Sequence, residues 1–186
     1  MCGIIAYKGG KKAAPIVLEG LKRLEYRGYD SWGIAAMSDP LLVLKQVGKV
    51  GDVTEDSLDY LGDSTIAIGH SRWATNGGVT LYNSHPHVSN DGRLALVHNG
   101  IVENYRELKS QLREKGFSFS SETDSEVVVN LIQDYLADHD LETAIRKTFL
   151  QLDGRNALVI LDRESKKMIG IRFGSPLIVG IGTEPS

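Results

Sequence analysis

The chain holds one cysteine, and it is the second residue, in MCGII. A free thiol has a pKa near 8.5 and is mostly protonated at neutral pH, so a reactive cysteine needs a base beside it. An α-amino group, with a pKa of about 7.7–8.0, is such a base. If Met1 is removed, as the small side chain of Cys2 permits, nucleophile and base arrive on one residue. The alternative for Cys2 is an inert, buried strand residue. Three further stretches bear on the choice. HNG (His98 to Gly100) closes an apolar run and offers an Asn side-chain amide next to a Gly N–H, the donor pair an oxyanion requires; it is equally a plain Asn-Gly turn. SRWAT (Ser71 to Thr75) offers Arg72 for bidentate capture of a carboxylate, with Trp73 beside it. SETD (Ser121 to Asp124) offers Asp124 for an ammonium, or as a charge at a helix N-terminus. A thiol with its own base, an oxyanion site and a pair of charges for an amino acid converge on acyl transfer from an amino-acid side chain.

These residues must be placed by the elements around them. GIIAY (Gly3 to Tyr7) is short, apolar and β-branched, and reads as a buried strand ended by Gly9–Gly10. Ala13 to Tyr26 has helical spacing at Ile16, Val17, Leu18, Leu21 and Leu24, with Pro15 in the first turn and Gly28 as the stop. SWGIAAM and LLVLKQV flank Asp39–Pro40 as a hairpin. Asp52 to Leu61 is a short helix, and STIAIGHSRW is a strand running into a polar segment. Gly77 to Gly92 lacks periodicity and reads as a long loop, functional or disordered. RLALVHNG is a strand. Glu103–Lys115, Asp124–Ala137 and Leu141–Leu152 read as helices, the second with Thr123 and Glu126 in a capping-box pattern. NALVILD and KMIGIRF form a hairpin, and PLIVGI a last strand. Hairpins without regular βα alternation predict an α+β fold with antiparallel sheets and helices on their outer faces.

Bulk properties narrow the classes. With 186 residues, one domain with a real core is expected. A net charge of −3 argues against nucleic acid or an anionic membrane as partner. No apolar run approaches the ~20 residues of a membrane span, and no signal peptide is visible. A single cysteine excludes an internal disulfide framework, so a reducing cytoplasm is the expected compartment. No motif suggests a metal or a cofactor.

The ordered set MCGIIAY, YRGYDSWGIA, HSRWATNG, NSHPHV, HNGIVENY, SETDSE and GSPLIVGIG resembles the glutaminase domain of the glutamine–fructose-6-phosphate aminotransferase family, from Met1 to about Gly182. These are class II glutamine amidotransferases with an N-terminal nucleophile. HNG followed by IVENY, and RWAT, favour this branch over purine-pathway amidotransferases, asparagine synthetases and glutamate synthases. The resemblance implies a four-layer αββα sandwich, the N-terminal nucleophile hydrolase fold. Residues 1–186 would be one type 2 glutamine amidotransferase domain, stopping short of the fold's last strands and lacking the sugar-isomerase region.

The resemblance also implies roles. Cys2 would attack the side-chain amide of L-glutamine, with Asn99 and Gly100 as oxyanion hole and Arg27 orienting the N-terminal residue. Arg72 would hold the substrate carboxylate with help from Thr75, and Asp124 its ammonium. Trp73 would belong to a loop that closes over glutamine, with Asn76 and His85 near the substrate. No metal or cofactor is implied. Ammonia would pass to an isomerase region holding fructose 6-phosphate, in a full-length homodimer. Two departures stand out: WATNG places Asn76 where the family usually has histidine, and Trp32 stands where a small residue is commoner. A non-catalytic glutamine-binding domain, or another class II branch, remain as alternatives.

Overall fold

The computed structural model describes residues 2–75 and 77–182. Among the described residues, eight strands form two antiparallel sheets of four. The first contains β1 (Gly3–Lys8), β2 (Ser31–Ala36), β3 (Leu42–Val47) and β4 (Ile66–Arg72), in the order β1-β4-β2-β3. The second contains β5 (His87–Val88), β6 (Leu94–Gly100), β7 (Asn156–Asp162) and β8 (Lys167–Phe173), in sequence order. Helix α1 (Ala13–Arg23) covers the first sheet; α2 (Tyr105–Glu114), α3 (Asp124–Leu136) and α4 (Leu141–Gln151) cover the second.

Strand periodicity builds the layers. Successive side chains on a strand point to opposite faces, so each strand divides its residues between two cores. On β6, Leu94 and Leu96 pack under α2, α3 and α4, while Ala95 and Val97 face the other sheet. On β2, Trp32, Ile34 and Ala36 pack under α1, whereas Ala35 joins Ile68 of β4 and Val159 and Leu161 of β7 between the sheets. The result is helix, sheet, sheet, helix. Trp32 therefore contributes to the α1 core, fully buried and cross-strand from Ser71, and faces away from the interlayer.

The helix termini follow local chemistry. Thr123 caps α3 by accepting from Glu126 N–H. The reciprocal half of a capping box is absent: Glu126 instead accepts from the backbone N–H groups and hydroxyls of Ser120 and Ser121, tying the preceding segment to the helix. Asp140 caps α4 through Thr143 N–H at 2.8 Å. No helix among the described residues is long and apolar enough to cross a membrane.

The short helix expected over 52–61 is present, as a 3-10 helix over Glu55–Leu61. Two expectations change. The segment 77–92 is not all loop, since His87–Val88 pairs with β6. PLIVGI is not a strand: residues 175–182 enter no ladder among the described residues, and Ile178, Val179 and Ile181 are exposed. Its composition suits a strand, but Leu177 packs into the interlayer core instead.

Candidate functional site

The interlayer is apolar in its middle and polar where it opens at one end. Continuing the alternation shows why. Ile68, His70 and Arg72 share the inward face of β4; Ala95, Val97 and Asn99 share that of β6; Cys2 precedes Ile4 on the inward face of β1. Gly3 pairs with Ser71, and Ser31 with Arg72, so the start of β1, the start of β2 and the end of β4 coincide. The end of β6 meets them from the second sheet.

Cys2 is half-buried. Its sulfur accepts from Trp73 N–H at 3.2 Å and lies 3.5 Å from the Trp73 carbonyl. Its own carbonyl accepts from Asn99 Nδ2 at 3.1 Å. Burial pushes the Cys2 thiol above its ordinary range, against the Trp73 N–H bond, which lowers it. A thiol in this setting needs a base to ionise near neutrality.

Gly100 ends β6 with φ at +144°, and a Cβ there would lie 2.3 Å from the Arg155 carbonyl and 2.6 Å from Asn156 Oδ1. Glycine alone brings this N–H to the corner beside Asn99. His98 faces the helices and anchors that corner, bonding Ser125 Oγ and Asn156 Oδ1, each at 2.9 Å.

Arg72 is buried. Its guanidinium donates to the carbonyls of Gly78 at 3.0 Å and Gly77 at 3.3 Å. Burial lowers its pKa, opposed by the charges of Cys2, Asp30, Asp124 and Glu122. Glu122 and Asn83 hold the Gly77–Gly78 turn in place, Glu122 accepting from Gly78 N–H at 3.2 Å. Asp124 opens α3, is buried, and accepts from Val102 N–H at 2.8 Å. Cys2, Arg72, Trp73, Thr75, His85, Gly100 and Asp124 all border one small recess of about 30 Å³. It adjoins a cleft of about 790 Å³ bordered by Cys2, Arg27, Thr75, Asn99, Gly100 and Leu177, among others.

Arg27 borders the cleft, but its guanidinium bonds Tyr26 Oη at 3.0 Å, and no hydrogen bond joins it to Cys2 among the described residues. The Trp73 ring is half exposed and packs edge-on against Tyr29. His85 is buried, stacked on His70 at 4.1 Å. Asn76 lies outside the described residues.

Residues 74–179 match the family described as the glutamine amidotransferase domain. The chain belongs to that family. This amidotransferase domain is 47% identical to the "Glutamine--fructose-6-phosphate aminotransferase [isomerizing]" of Methanococcus maripaludis over 97% of its own length and 31% of the relative's. It is 49% identical to the protein of the same name from Caldanaerobacter subterraneus, over 98% of its length and 30% of the relative's. The chain thus spans less than a third of these curated relatives. Among solved structures, the glutamine phosphoribosylpyrophosphate amidotransferase from B. subtilis superposes with a TM-score of 0.75 at 30% identity, covering 88% of this chain and 35% of that one. The fold of this amidotransferase domain is therefore that of the N-terminal nucleophile amidotransferases, as the layers indicate.

Proposed function

We propose that this domain hydrolyses the side-chain amide of glutamine through a γ-glutamyl thioester on Cys2, supplying ammonia to a sugar-phosphate acceptor site elsewhere in a longer protein. The observation that carries the reading is the convergence of Cys2, the Asn99–Gly100 corner, Arg72 and Asp124 on one end of the interlayer.

The chemistry balances with these groups alone. Once Met1 is removed, the α-amine of Cys2 takes the thiol proton. The thiolate attacks the carboxamide carbon, and the carbonyl π pair moves to oxygen. That oxyanion is met by Gly100 N–H and by the second hydrogen of Asn99 Nδ2, whose first is donated to the Cys2 carbonyl. The ammonium returns its proton to the departing nitrogen, the C–N bond breaks, and ammonia leaves. Water, deprotonated by the same amine, then attacks the thioester; the C–S bond breaks, glutamate is released and the thiol is restored.

Arg72 and Asp124 both border the recess, a cation and a carboxylate suited to an α-carboxylate and an α-ammonium. As it stands, the recess has room for about one water, so a bound amino acid requires the Gly77–Gly78 turn to shift and free the Arg72 fork from its carbonyls. Fructose 6-phosphate as acceptor rests on relatives 45–49% identical to the chain, against 30% for the purine-pathway structures. A full-length homodimer and a cytoplasmic setting, where a lone thiol stays reduced, belong to the same reading. The test is glutamate release by the purified chain: activity in the wild type that is lost in Cys2→Ala supports the reading, and equal turnover in both removes it.

A further inference from the structure

His70, on β4, is fully buried and absent from the set of residues to which chemistry was assigned. Its Nε2 lies 3.0 Å from the His98 backbone carbonyl and 3.0 Å from Asn99 Oδ1. A main-chain carbonyl can only accept, so the His98 oxygen holds the proton on Nε2. That proton is shared with the second neighbour, which must then also be an acceptor. The Asn99 carboxamide is thereby allowed one of its two orientations: oxygen toward His70, nitrogen toward Cys2, where Nδ2 meets the Cys2 carbonyl at 3.1 Å. The flipped amide would set N–H against N–H in a buried site, which costs the desolvation of both groups. His70 Nδ1 is buried with no hydrogen-bond partner among the described residues, and the ring is clamped by stacking on His85. Nothing on that side competes for the proton.

We propose that His70 is a positioning residue for the oxyanion hole: it acts through Asn99, fixing the carboxamide so that its N–H groups, rather than its oxygen, face the reacting carbon. Burial keeps the ring neutral down to about pH 3, so this donor pattern holds across the working range. An oxyanion donor matters most in the transition state, so the effect of losing its orientation falls on kcat rather than on KM.

The inference rests on the glutaminase reading, and the test separates the two. Glutamine hydrolysis is measured for the wild-type chain, Cys2→Ala, His70→Phe and His70→Gln. Removing an oxyanion donor outright costs ~100–1000-fold in kcat, and freeing one to rotate costs a part of that. His70→Phe is expected to lower kcat ~30-fold with KM within ~3-fold, and His70→Gln, whose amide N–H reaches the place of Nε2, to recover most of the loss. Glutamate γ-semialdehyde, which adds to the Cys2 thiol as an oxyanion analogue, should weaken in parallel with kcat, while inhibition by glutamate stays unchanged. A fully active His70→Phe, or a loss in kcat and KM alike that Gln does not rescue, overturns the inference while leaving the glutaminase reading intact. A wild type without glutaminase activity overturns both. Independently of any variant, ¹⁵N chemical shifts of the wild-type imidazole should show Nε2 protonated and Nδ1 bare; the opposite tautomer refutes the proposal even if His70→Phe fails to fold.

Discussion

Lowering the pH from 7 to 5 should markedly reduce this domain's stability, and histidine is the cause. His70, His85, His87 and His98 are each no more than 5% exposed. Burial lowers the pKa of all four, to about 3 for His70 and well below the ordinary value for His85 and His87. For His98 the Asp124 charge opposes the effect of burial. A base whose folded pKa is depressed is neutral in the native state while its unfolded counterpart takes up a proton. Stability is therefore fully present above the unfolded value of ~6.5 and falls as the pH drops below it. At pH 5 a histidine that stays neutral in the native state, as His70 does, favours the unfolded chain by about 2 kcal/mol, and the lowered pKa values of His85, His87 and His98 act in the same direction, set against a total stability of about 5–15 kcal/mol for a typical domain. The assay is urea unfolding at intervals between pH 7.5 and 5, followed by circular dichroism and by the fluorescence of buried Trp32. The slope of stability against pH should rise above one proton taken up on unfolding near pH 5, with His98 contributing least because Asp124 opposes its shift. A slope below one proton across pH 6 to 5 would refute the reasoning, because the rings would then be charging inside the folded protein.

Other outcomes follow from single contacts. Gly100→Ala places a Cβ 2.3 Å from the Arg155 carbonyl at a φ of +144°; it should cost about 3 kcal/mol in denaturant titration and abolish turnover below its unfolding transition. Arg72→Lys replaces a planar fork by one point donor, and is expected to raise KM for glutamine ~10–100-fold with a smaller change in kcat, measured by steady-state glutamate release. At the far end of β6, Arg93 meets the fully buried carboxylate of Asp162 at 2.8 Å; Arg93→Met should cost up to about 3 kcal/mol of stability while leaving kcat unchanged, since the buried charge, far from the cleft, loses its cationic partner and keeps only the Glu164 and Ser165 donors.

What could be read from residues alone divides along physical lines. Strands with apolar alternation, such as RLALVHNG and NALVILD, and the helices over 103–152 are local patterns, and they stand where expected. PLIVGI failed because composition records a strand's propensity but not whether a partner edge is free, and Leu177 found the interlayer instead. His87–Val88 is two residues long, too short for any period to register. His70 was within reach: it sits two residues from Ile68 and two from Arg72, so alternation alone places all three on one face. Its meeting with Asn99 was out of reach, because that contact spans two sheets and 29 residues of sequence. Arg27 shows the reverse, a residue whose position near the cleft was legible while the turn of its guanidinium toward Tyr26 was not.

The central claim is that Cys2, freed at its amine, is the nucleophile of this site. The most direct measurement is mass spectrometry of the active chain after treatment with 6-diazo-5-oxonorleucine, an electrophilic glutamine analogue. The account predicts loss of activity together with an N-terminal peptide that begins at Cys2 and carries the analogue, less dinitrogen, on its sulfur. An active chain that retains Met1, or inactivation with the label on any other residue, would contradict it.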